Sequence, residues 1–82
     1  MSHLPKSLHE IFPGETDVLR RLKAGDRHFQ LLVSRYEDID GEVRKMEAGE
    51  DPASDERFEA ARKLRLAVLD EIATLIASHK AA

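Results

Sequence analysis

The sequence predicts an all-α protein: an antiparallel, coiled-coil-like two-helix hairpin preceded by a short N-terminal helical arm. Three observations carry this prediction. Apolar residues recur at steps of three and four over two long stretches, as on helices with one buried face. One cluster of helix-stopping and helix-starting residues, EAGEDPASDE at 47–56, separates the two stretches. Folding the chain at that cluster sets an acidic block against a basic one.

The arm, about residues 4–12, is built around SLHEIF. Ser7 and Glu10 have capping-box spacing, and Leu4, Leu8, Ile11 and Phe12 fall at helical spacing. Pro13 and Gly14 break the run, and Pro13 suits the first position of a following helix. The arm reads as an amphipathic turn that folds back on its own hairpin or docks on another subunit.

Helix one is expected over about residues 14–48. Val18, Leu22, Phe29, Leu32, Tyr36, Ile39, Val43 and Met46 form a heptad seam, with Gly25 in its one missing place. An unbroken helix of that length would be about 50 Å long and would need a partner to cover its stripe. The turn spans 49–54. Gly49 suits a helix stop, Pro52 cannot continue a helix interior, and Ser54 can cap the next helix with Asp55 and Glu56 in its first turn. Arg57 stands where a full capping box has Glu. Helix two is expected over about 55–79, with the seam Phe58, Ala61, Arg65, Val68, Ile72, Leu75 and His79.

A short turn makes the helices antiparallel neighbours, and pairing Met46 with Phe58 places residues opposite when their numbers sum to about 104. This register sets Glu37, Asp38, Asp40 and Glu42 beside Arg62, Lys63 and Arg65, and brings Asp70 and Glu71 near Arg35. Each exposed pair contributes only about 0–1 kcal/mol, so the pattern selects register more than it adds stability. Arg44, Lys45 and Glu59 read as solvated outer-face charges.

Helix two carries a second apolar stripe, Leu66, Leu69, Ala73 and Ile76. Fully burying one large side chain of this kind gains about 1.5–3 kcal/mol, and an isolated hairpin would leave several exposed. The stripe, together with Ile11 and Phe12, is the candidate interface. The expectation is a homo-oligomer, most simply a dimer forming a four-helix bundle, or an apolar face offered to another helical protein. The competing reading is that the arm covers the stripe.

Composition narrows the function classes. With 82 residues the chain has room for one domain, residues 1–82, and with no cysteine it has neither disulfides nor thiolate chemistry. A formal charge of -3 disfavours general nucleic-acid binding. Apolar runs such as Leu66-Ala67-Val68-Leu69 are far too short to span a bilayer, and MSHLPKSLHE lacks the pattern of a signal peptide. The default is a cytoplasmic protein with no membrane association. Nothing repeats internally, and no segment is of low complexity.

No constellation points to catalysis, a metal or a cofactor. His3, His9, His28 and His79 have no helical ligand spacing among them; only His28 and His79 can approach, near the open end of the hairpin. Ser7, Ser34, Ser54 and Ser78 lack a glycine elbow and a base. Asp38 and Asp40 diverge on a helix, and Gly14, Gly25, Gly41 and Gly49 are scattered, so no phosphate cradle forms. A hairpin also lacks a deep pocket, so the chain is not expected to be an enzyme. Arg20, Arg21, Lys23 and Arg27 form a candidate basic patch for an acidic partner or RNA, set against the plainer reading of a solvated face. Gly41 falls on the outer face and weakens its turn. Gly25, in the seam, either permits close helix approach or marks a bend.

Four segments in order, HEIFPG, RRLKAGDRHF, PASDE and KLRLAVLDEI, resemble the YdcH-like family of small bacterial helical hairpins of unknown function. The likeness covers about residues 8–76. The matching positions are His9, Phe12, Pro13, Leu22, Lys23, His28, Phe29, Arg65, Leu66, Asp70, Glu71 and Ile72. The chain departs from the pattern at Gly14, Gly25 and Leu69, and Leu69 widens the apolar face. The resemblance implies a helical hairpin in a bacterial cytoplasm and no particular reaction.

Overall fold

A computed structural model of the chain describes residues 4–81. Its described residues form four α-helices and no strand: α1 (Lys6–Ile11), α2 (Thr16–Gly25), α3 (Arg27–Glu47) and α4 (Asp55–Ala81). His3 lies outside the described residues. The expected hairpin is α3 and α4. The expected single helix over 14–48 is instead two helices.

The break lies at Asp26. Its backbone is extended, with φ -120° and ψ 107°. Its N–H closes the last turn of α2 on the Leu22 carbonyl at 2.8 Å. Its carboxylate accepts from the Phe29 N–H at 2.9 Å and caps α3. One residue therefore ends one helix and starts the next. Gly25 is the last residue of α2, and a Cβ added there would meet nothing within 4 Å. Gly25 thus marks the bend and does not serve close helix approach.

The bend lets α2 fold against the hairpin. Leu19 and Leu22 are buried with Phe29, Leu32, Val33, Tyr36, Val68, Ile72 and Ile76 in one core. The heptad reading placed Val18 in the seam and passed over Leu19. Past the bend, α2 keeps its own rotational phase, and Val18 is only partly buried. Val33 was also passed over. α3 buries a wider face than a coiled-coil seam because it meets both α4 and α2. The molecule measures 43 × 25 × 22 Å. Its long dimension is close to the roughly 40 Å expected for α4 alone, in place of a 50 Å rod carried by helix one.

The arm packs on its own hairpin. Leu8 is fully buried, and Leu4 and Phe12 lie against the core. Ser7 does not cap the arm. It sits inside α1, where its Oγ accepts a hydrogen bond from the Tyr36 hydroxyl at 3.0 Å. Pro13 does not start a helix. The Glu15 N–H bonds the Phe12 carbonyl at 3.3 Å, closing a turn with Pro13 and Gly14 at its centre. Gly14 has φ +80°, as a type II turn requires after proline.

The stop and start signals of the hairpin act as read. Gly49 has φ +77°. Its N–H bonds the Met46 carbonyl at 3.2 Å, and the Glu50 N–H bonds the Lys45 carbonyl at 2.9 Å, the pair of bonds that defines a Schellman stop. Ser54 Oγ accepts from the Arg57 N–H at 3.1 Å and caps α4. Within α4, Val68 and Ile72 are buried as expected, whereas His79 is exposed at the helix end.

Candidate interaction surface

Antiparallel packing of α3 and α4 fixes which charges meet. Arg65 donates to Asp40 Oδ1 at 2.8 Å, in the Met46–Phe58 register to within a residue. Asp40 also accepts from Arg44 Nε at 2.8 Å, one turn along α3. Partial burial of the Asp40 carboxyl favours its neutral form. The hydrogen bonds and positive charges of Arg44 and Arg65 outweigh that effect and hold its pKa below the usual carboxylate value. The rest of the expected block pairs differently. Arg62 lies over the Phe58 ring at 5.6 Å, a cation–π contact. Arg35 and Glu71 line one groove but form no ion pair within 4.0 Å.

α2 and the residue before it close one flank of α4. Leu69, Ala73, Ile76 and Lys80 follow one another at steps of three and four along that flank. Lys80 donates to Glu15 Oε1, just before α2, at 2.9 Å. The second Glu15 oxygen is buried there without a partner. The expected interface stripe is therefore divided. Ile76 belongs to the chain's own core, Leu69 and Ala73 are half-buried, and Leu66 is 60% exposed. Leu66 and Leu69 line a groove with Glu59, Arg62, Lys63 and Arg65. Of the two arm residues assigned to the interface, Phe12 packs on the core and Ile11 is exposed.

The other flank of α4 stays open along its length. Leu64 is 55% exposed there. Beside it runs a groove formed with α3, lined by Arg35, Ile39, Leu64, Ala67 and Glu71 among others. Leu31 on α3 is likewise exposed, at 57%. The sequence reading did not single out Leu64 or Leu31. At steps of three and four, Leu64 continues into Ala60 and Ala67, whose small side chains give a weak apolar signal.

The basic patch is not one surface of one helix. Arg20 and Arg21 are exposed on α2, Lys23 is half-buried, and Arg27 opens α3 beyond the bend. The Lys23 carbonyl accepts from the Gln30 side chain at 2.6 Å across that bend. Among the described residues, no group of three or more His, Asp or Glu side chains could hold a metal ion, and His28 and His79 are both exposed. No helix among them is long and apolar enough to cross a membrane.

No curated protein and no solved structure matches the chain. A family described as "Protein of unknown function (DUF465)" matches residues 29–76, which cover most of α3 and α4 and leave out the arm and α2. The YdcH-like proteins fall within that family. HEIFPG and most of RRLKAGDRHF precede the matched region, so the hairpin carries the relationship. The chain belongs to this family of unknown function.

Proposed function

We propose that the chain is a non-enzymatic helical interaction module of the cytoplasm that associates with other helices, first of all those of a second copy, through the surface of α4. The observation that carries this reading is the pair of exposed leucines, Leu64 and Leu66, which stay on opposite flanks of α4 after the arm has docked. Both lie on a rigid helix, both adjoin grooves, and neither is needed by the chain's own core. A surface of this kind gains free energy by meeting a second apolar face. Nucleic-acid binding through Arg20, Arg21, Lys23 and Arg27 draws less support, since Lys23 is half-buried and the chain is net acidic.

The test is the solution mass of the purified chain by light scattering across a wide concentration range. The expected result is a concentration-dependent rise from the 9.3 kDa monomer toward the dimer. A mass that stays monomeric into the millimolar range would refute self-association.

A further inference from the structure

We propose that the second copy docks on the open flank, with α4 lying antiparallel against α4 of its partner about a two-fold axis at Leu64. This rests on the self-association proposed above and names its geometry. The flank is the stripe Arg57, Ala60, Leu64, Ala67 and Glu71, spaced at alternating steps of three and four, and every one of these residues is exposed. Such spacing is what a straight seam between two helices needs. One leucine between two alanines lets the backbones approach closely while the leucines of the two copies meet on the axis.

The charges at the ends of the stripe are self-complementary. Antiparallel pairing about Leu64 sets Arg57 of each copy opposite Glu71 of the other, twice by symmetry. Within one chain the two cannot meet, because they lie 14 positions apart on one helix, about 21 Å. Glu71 has no ion-pair partner among the described residues, and the Arg57 side chain reaches a half-buried Asp51 at 3.6 Å. The same operation about Leu66 is hindered on its C-terminal side, where Leu69 and Ala73 are already half-buried. That stripe runs into Ala73, Ile76 and Lys80, where Glu15 and α2 already sit. The two α4 helices run antiparallel across the axis, so their dipoles oppose one another.

The experiment is a charge swap read by sedimentation equilibrium, with circular dichroism as the control for folding. Arg57→Glu and Glu71→Arg each turn two attractive pairs into repulsive ones and should each weaken the dimer by about tenfold. The double variant restores both pairs across the axis and should return to within about twofold of the unaltered chain. Arg57→Glu puts an acid in the first turn of α4, where the dipole favours it, so helicity is not at risk. Full helicity with no rescue in the double variant would overturn the geometry. So would an unaltered dimer in both single variants that is lost in Leu66→Glu, and that result would leave self-association standing. A chain that is monomeric throughout would overturn both.

Discussion

Replacing Asp26 with alanine tests the bend that separates α2 from α3. The change removes the acceptor of the Phe29 N–H, a bond of 2.9 Å at a partly buried site. Loss of an N-cap of this type costs about 0.5–2 kcal/mol, and one bond partly shielded from water belongs near the middle, about 1 kcal/mol. Alanine also removes the side chain that holds the extended cap, so a continuous helix through residue 26 becomes locally easier. That straightening is opposed by the core. It would withdraw Leu19 and Leu22, at roughly 1.5–3 kcal/mol each. The bend should therefore persist and the loss appear as reduced stability. With an m-value of about 1 kcal/mol/M, the urea midpoint should fall by roughly 1 M at unchanged m. Asp26→Ser, which keeps a capping oxygen, should recover most of the loss. Equal midpoints for the alanine, serine and unaltered chains would refute the capping argument. Small-angle scattering from an elongated rod in the alanine variant would refute the argument from Leu19 and Leu22.

Four further outcomes follow from the same contacts. Leu8→Ala should cost about 2–5 kcal/mol in urea unfolding, since Leu8 is fully buried between the arm and the hairpin, and a loss below about 0.5 kcal/mol would mean that the arm is not docked. Gly25→Ala should stabilise by about 0.4–1 kcal/mol, because the site is helical and has room for a Cβ, whereas a loss in thermal melting would point to a need for glycine at the bend. Gly49→Ala should destabilise by about 1–2 kcal/mol, as its φ of +77° is unfavourable for an L side chain even where space is free. Because Asp40 has a pKa lower folded than unfolded, its pairing supports the fold fully above its ordinary value of 3.8 and is lost as pH falls through the lower folded value; Asp40→Asn should flatten that acid limb in pH-dependent melting, and an unchanged limb would count against it.

Much of this architecture is legible in local sequence. The Schellman stop at Gly49, the Ser54 cap and the start of α4 at Asp55 are decided by side chains and backbone groups within a few residues of one another, so their identities suffice. The antiparallel register also follows from sequence, through the Asp40–Arg65 pair. Asp26 was legible in principle: glycine followed by aspartate three residues before a buried phenylalanine is a stop-and-cap signal. An unbroken run of heptad spacing masked it, because Val18 and Leu22 continue the seam numerically although the helix does not continue in space.

By itself the sequence determined an all-helical chain, the hairpin turn and the face of α4 that meets α3, because helical periodicity and capping are local properties. Only the tertiary structure decided where the arm lies. Whether Ile76, Leu69 and Ala73 form an interface or a core depends on what covers them, and that turned on α2 and Glu15 reaching α4 by way of the bend at Asp26. α2 and Glu15 closed one flank of α4, and Leu64 stayed uncovered on the other. Burial is a property of two surfaces in contact, and a stripe read along one helix specifies only one of them.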